Sequence, residues 1–158
     1  MSSRMPSRLQ KLGAMKASDQ LIEALKSFEG LRTEAYQCAA GRWTIGYGHT
    51  LTAREGMIID EQRAEHLLRQ DVNVIERWLS SKNITEEQHR FDALVSFIFN
   101  LGIANFYDST LRKVIERDGS EEEIRKQWMR WVHVKKKVLP GLVKRREWEC
   151  NLFIKGEY

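Results

Sequence analysis

At 158 residues, with 42% hydrophobic and 30% charged side chains, the chain is long enough to bury a core and has the composition of a soluble globular protein. Two cysteines exclude a disulfide framework, no CxxC or Cys/His cluster suggests a metal, and no apolar run is long enough to span a bilayer. The formal charge is +4, and from Arg125 to Arg146 no acid interrupts the basic residues, which suits a polyanion (nucleic acid, an anionic membrane surface, an acidic wall polymer) or simply makes a solvated helix face.

Residues 1 to 17 read as a flexible leader. The start, MSSRMPSRLQKLGAMKASDQ, is basic but lacks the apolar segment of a secretory signal, so the chain is expected to be made and kept in the cytoplasm. Ser18 is placed to cap a helix carrying Leu21, Ile22, Leu25 and Phe28 at helical spacing, and Gly30 ends it. EAYQC and RWTIGYG, joined by Ala39-Ala40-Gly41, predict a hairpin, with a third short strand near Met57–Ile59.

From Asp60, the residues Ala64, Leu67, Leu68, Ile75 and Leu79 keep helical spacing. A helix of that length spans about 30 Å, enough to connect two lobes. Thr85 with Gln88 predicts a capping box before the apolar helix of Phe91, Leu94, Val95 and Ile98. Ser120 with Glu123 predicts another, opening a helix that carries Trp128 and Trp131. Pro140-Gly141 breaks the chain before a last helix with Trp148, Leu152 and Phe153. Cys150 on that helix reads as packing rather than redox control. The tryptophans could stack on sugars but read mostly as core.

On a helical wheel, Glu29 falls inside the apolar arc between Leu25 and Ile22, in the last turn of its helix. Desolvation and the negative end of the helix dipole both favour the neutral acid, the form a general acid needs. The same wheel also fits a glutamate at a frayed end that turns to water.

Cys38 follows Glu29 after eight residues, and Thr44 follows Cys38 after five, running into TIGYGH. Glu-x8-Cys-x5-Thr resembles the catalytic signature of phage lysozymes of the T-even and lambdoid type (glycoside hydrolase family 24), where the second position is Asp or Cys. The similarity continues through ALVSFIFNLG, STLRKVI, QWMRWV and KVLPGLVKRREWE, and covers about Leu21 to Phe153.

The resemblance implies a fold of the α+β class, mostly α. It would be a lysozyme-like bilobed fold with a small antiparallel sheet in the N-terminal lobe, a long connecting helix and a helical C-terminal lobe. In these terms residues 18–158 form one domain: 18–59 a catalytic lobe with the hairpin, 60–80 the connecting helix, 81–158 the helical lobe. It implies a phage endolysin (muramidase) that hydrolyses the β-1,4 bond between N-acetylmuramic acid and N-acetylglucosamine in peptidoglycan and so lyses the host cell.

Glu29 maps to the general acid, Cys38 to the second catalytic group, and Thr44 to a hydroxyl beside the water or the reacting sugar face. Cys38 thus stands in for the usual aspartate, with a small buried hydrophobe as the alternative reading. Thr50, Phe99, Thr110 and Arg125 fall where relatives line the saccharide groove, although Phe99 could equally be core. His49 maps to a structural hydrogen-bonding partner. Asn100 could face the cleft, and Arg145 or Arg146 could pair with Glu29. Where relatives often carry a glycine-bearing loop, this chain has Lys135, Lys136 and Lys137.

The implied partners are peptidoglycan glycan strands, with holin-dependent release from the host cytoplasm and action in the periplasm. The basic lobe would help hold the anionic wall. A monomer is expected, with no metal, no cofactor, no membrane anchor and no specific nucleic acid. The competing reading is a catalytically silent lysozyme-fold module that binds glycan or nucleic acid through its basic face.

Overall fold

The computed structural model describes residues 15–158; most of the expected leader lies outside them. Among the described residues the chain is mostly helical, with two small antiparallel hairpins. The elements are α1 (Asp19–Glu29), β1 (Arg32–Gln37), β2 (Trp43–Gly46), α2 (Glu61–Ser81), α3 (Gln88–Leu101), α4 (Ile103–Tyr107), α5 (Thr110–Glu116), α6 (Glu121–Trp128), β3 (His133–Val134), β4 (Lys137–Val138) and α7 (Pro140–Lys155). The described residues divide into two compact units, Asp19–Val74 and Ile75–Tyr158, the second including residues 15–18.

In the unit Asp19–Val74, α1 buries Leu21, Ile22 and Leu25, as its spacing predicts, while Phe28 in the last turn is exposed. The first part of α2 buries Ala64, Leu67, Leu68 and Val72. Lys26 ties α1 to α2 through an ion pair with Glu65. The expected hairpin forms, β1 pairing antiparallel to β2 with Tyr36 opposite Thr44 and Gln37 opposite Trp43. Between Arg32 and Tyr36 the register breaks, and the outer side of β1 turns to the Met57–Ile59 segment instead. There Ala35 N–H donates to Met57 O and Ile59 N–H to Thr33 O, both at 2.9 Å, around a bridge from Glu34 to Ile58. The third strand is thus a single bridge. Gly46 lets α2 approach the sheet: a Cβ there would meet Ala64 Cβ at 3.3 Å.

The second unit is built around α3, which buries every residue from Phe91 to Ile98, and α7, which buries Cys150, Leu152 and Phe153 against it. Phe97 makes edge-on contacts with Phe106, Trp128 and Trp131. Burial pushes the Cys150 thiol up to about 11, in keeping with a packing role.

The Ser120–Glu123 capping box forms as its sequence predicts. The Thr85–Gln88 box does not. Helix α3 is capped at Glu87 without a side-chain bond, and Thr85 Oγ1 accepts from Glu87 N–H instead. The Gln88 amide is engaged elsewhere, donating to Lys16 O at 2.7 Å and to Asp92 Oδ1 at 2.9 Å.

Two buried carboxylates organise this unit. Asp92 accepts from Ser18 N–H (3.0 Å), Ser18 Oγ (2.5 Å) and the Tyr158 hydroxyl, which ties both ends of the described chain to α3. Glu149 accepts from Ser96 Oγ (2.5 Å) and Trp128 Nε1 (3.1 Å), and pairs with Arg145 and Arg146. Burial lowers the Arg146 guanidinium from arginine's usual range, and the Glu149 charge opposes it. Both arginines are therefore core residues, so the basic stretch presents fewer charges to water than its sequence suggests.

Candidate active site

Glu29, Cys38, Thr44 and Thr50 all lie in the unit Asp19–Val74. Glu29 is the last residue of α1 and half-buried. Its carboxylate rests against Gly48, where an added Cβ would fall 2.9 Å from Glu29 Oε1. Gly48 has φ +80°, so glycine meets two demands there: left-handed backbone and room for the acid. Gly48 belongs to the TIGYGH run, and its contact with Glu29 is not legible from spacing.

Cys38 sits at the mouth of the β1–β2 hairpin. Its N–H donates to Arg42 O at 2.9 Å, and its own carbonyl accepts from Gly41 N–H at 2.8 Å. This closes a tight loop over Ala39-Ala40-Gly41, with Gly41 at φ +79°, the usual way a three-residue hairpin loop ends. The loop's backbone then faces the sulfur. The Arg42 N–H and then the Ala40 N–H hold the thiol below its ordinary range; partial burial opposes them, and the Thr44 hydroxyl and Arg42 charge add smaller help. Cys38 is half-buried and unpaired with any cysteine.

Thr44 is buried in β2, and its hydroxyl donates to Arg42 O at 3.1 Å. A hydroxyl has one proton. While Cys38 is a thiol, Thr44 Oγ1 can keep that proton on Arg42 O and accept from the sulfur; once Cys38 is a thiolate, the proton is better placed on the sulfur. Thr44 therefore suits either state of its neighbour.

His49, 3% exposed, anchors the end of the motif. Its backbone makes two 2.9 Å hydrogen bonds with Ile45. Thr52 N–H points at Nε2 from 3.2 Å, and a backbone N–H can only donate, so Nε2 accepts and Nδ1 carries the proton toward Asp71 at 2.9 Å. Both ring nitrogens of His49 are thus engaged in hydrogen bonds. Asp71, twenty-two positions away, escapes a sequence reading. Thr50 follows, half-buried, its carbonyl accepting from Ala53 N–H at 3.2 Å.

The other three expected groove residues belong to the second unit. Phe99 is half-buried on α3, beside the fully buried run rather than in it. Thr110, the exposed first residue of α5, lines an open depression of about 360 Å³ with Asn105, Asp108, Ser109, Gln127, Arg130 and Trp131. Arg125 lies on α6 and donates to Asn151 Oδ1 at 3.1 Å. Asn100 is exposed and accepts from Arg146 Nη2 at 2.9 Å. Trp128 is fully buried and Trp131 half-buried. Among the described residues no group of three or more His, Cys, Asp or Glu could hold a metal ion.

The profile of the phage lysozyme family matches residues 26–149, a stretch that contains Glu29, Cys38 and Thr44. The endolysin of Acyrthosiphon pisum secondary endosymbiont phage 1 is 39% identical over 143 residues, covering 88% of this chain and 98% of that one. The endolysin of Bacillus phage B103 is also 39% identical, over 90% of this chain, but the match spans only 56% of that longer protein.

Among solved structures, an endolysin from Escherichia coli O157:H7 phage FAHEc1 superposes with a TM-score of 0.80 at 32% identity, covering 92% of this chain and 98% of the other. The muramidase domain of SpmX from Asticaccaulis excentricus does so with a TM-score of 0.78 at 38% identity, covering 89% and 98%. The chain belongs to the phage lysozyme family and is a glycoside hydrolase of that kind, an endolysin muramidase acting on peptidoglycan.

Proposed function

We propose that Glu29 and Cys38 carry out the cleavage as an acid and an anionic sulfur, with Thr44 positioned to serve the sulfur. Glycoside hydrolysis needs a proton for the departing oxygen and a negative group or activated water on the opposite side of the sugar ring. Glu29 gives its proton to the glycosidic oxygen as the bond to the anomeric carbon breaks. Cys38, as thiolate, either bonds to that carbon or takes a proton from the water that does. The single observation that carries this reading is the backbone cradle around the Cys38 sulfur, which lowers its proton affinity where relatives of this type can hold an aspartate. The bond cut is the β-1,4 linkage between N-acetylmuramic acid and N-acetylglucosamine, with Thr50, Phe99, Thr110 and Arg125 contacting the glycan strand.

We read residues 18–158 as one lysozyme-like domain behind a short leader, working as a monomer. The protein accumulates in the host cytoplasm until a holin opens the inner membrane, then cuts the wall from the periplasm. No helix of the described residues is long and apolar enough to cross a membrane.

Digestion of purified peptidoglycan tests the chemistry. New reducing ends on N-acetylmuramic acid, absent with Glu29→Gln, support the assignment. New ends on N-acetylglucosamine, or undiminished cleavage by Glu29→Gln, would refute it. The anomeric form of the first product separates the two roles open to Cys38: retention marks sulfur attack, inversion marks activated water.

A further inference from the structure

The second hairpin, β3–β4, supplies none of the residues assigned to the glycan or the catalytic groups. His133 pairs with Val138 and Val134 with Lys137, leaving Lys135-Lys136 as a two-residue loop. Both loop residues have positive φ, +49° and +67°. That geometry is a type I′ turn, for which Asn-Gly is the least strained sequence and lysine has no backbone advantage. The turn therefore does not explain the lysines.

Two further features belong to the same element. Lys135, Lys136 and Lys137 are all exposed, and so are Lys126, Arg130 and Lys144 on either side in the chain, whereas Arg145 and Arg146 are buried on Glu149. Next to the lysines stand three exposed aliphatic side chains: Val134 is 48% exposed, Val138 52% and Leu139 38%. By the pairing, Val134 shares a face with Lys137, and Val138 shares the other with His133. Each face thus joins an aliphatic group to a basic or polar one.

A hydrated polyanion, whether nucleic acid or wall polymer, would use the ammonium groups and leave the valines in water. A phospholipid surface uses both. Met by the tip of the hairpin, phosphates bind the ammonium groups, long lysine stems reach back along the interface, and Val134 from one face and Val138 from the other enter the boundary between headgroups and acyl chains. We propose that the β3–β4 hairpin is a docking element for the surface of an anionic phospholipid bilayer, holding the enzyme there peripherally. This role is independent of the catalytic assignment and is read without any wall substrate.

The test is cosedimentation of the full chain with vesicles of phosphatidylcholine, with and without phosphatidylglycerol. The wild type should bind only the anionic vesicles, and less so as salt rises. The double variant Lys135→Asn/Lys136→Gly keeps the I′ turn and removes two charges, and should partition about thirtyfold more weakly at roughly fivefold per lysine. The variant Val134→Thr/Val138→Thr keeps every charge and β-branch and should lose about fivefold on vesicles, while its binding to duplex DNA and to isolated wall sacculi stays at the wild-type level. Thermal melts of both variants should match the wild type. If the wild type ignores anionic vesicles, or if the valine variant binds them as well as the wild type does, the surface is a general polyanion patch or none at all, and the proposal is wrong.

Discussion

Cys38 and Thr44 hang from one acceptor: the Arg42 carbonyl takes the Cys38 N–H at 2.9 Å and the Thr44 hydroxyl at 3.1 Å. The hairpin loop that brings the chain back from β1 to β2 therefore sets the thiol and the hydroxyl against each other. Six residues of sequence spacing become one local geometry. The hydroxyl is left with a choice of partner that depends on the charge of the sulfur.

Removing that choice should be felt by the thiol first. Thr44→Val keeps the shape of the side chain and deletes the hydroxyl, so the Cys38 proton should leave at higher pH and turnover should fall about tenfold or more. Thr44→Ser should restore most of both. The pH dependence of iodoacetamide alkylation, compared with steady-state rates, checks the two effects together.

The direction of the Cys38 shift also fixes a pH profile. A thiol held below its ordinary range becomes thiolate as pH rises through that lowered value, so the limb of activity that depends on Cys38 should rise with pH and level off before an ordinary thiol would. In Cys38→Asp the same limb should move into the carboxylate range, several units lower. An unchanged limb in the aspartate variant would assign it to another group.

Gly48 should be intolerant of a methyl group for a reason that Gly56 does not share. Both have left-handed backbone, φ +80° and +81°, but an added Cβ meets nothing within 4 Å at Gly56 and the Glu29 carboxylate at 2.9 Å at Gly48. The left-handed backbone alone should make alanine cost about 1–2 kcal/mol at either position. Only Gly48→Ala should also lose activity, by tenfold or more, because Glu29 must shift. Paired melting curves and rates for the two variants check this.

In the helical unit, Glu149→Gln should be among the most damaging single-atom changes. It removes the negative charge between two buried guanidiniums and weakens the bonds from Ser96 and Trp128. Breaking a buried pair from one side costs about 3–5 kcal/mol, readable as a loss of denaturation midpoint in urea.

What the sequence discloses, and what it hides, follows the reach of each interaction. The Ser120–Glu123 box was legible because both partners lie within one turn and nothing else claims them. Thr85–Gln88 has the same kind of pattern, yet Gln88 is taken by Lys16 and Asp92, which are distant in sequence or committed to other contacts. The apolar stripe of α1 was readable at Leu21, Ile22 and Leu25 and fails at Phe28, in the last turn.

The order and spacing of Glu29, Cys38 and Thr44 carry the resemblance to the family, whereas the Arg42 carbonyl, the Gly48 contact and the Asp71 partner of His49 depend on folding. A Lys-Lys pair carries no turn signal at all, so the β3–β4 hairpin was invisible. The charge run likewise gives no hint that Arg145 and Arg146 are buried and pair with Glu149.

The central claim is that a cysteine thiol does the work of a carboxylate at position 38. The measurement that tests it most directly is lysis of outer-membrane-permeabilised Gram-negative cells by the wild type, Cys38→Ser and Cys38→Asp. The account predicts an active wild type, a serine variant reduced by a hundredfold or more, and an aspartate variant that lyses cells. A wild type that is inert while Cys38→Asp alone lyses cells would contradict it, and would make this chain a lysozyme-fold module disarmed at its second catalytic group.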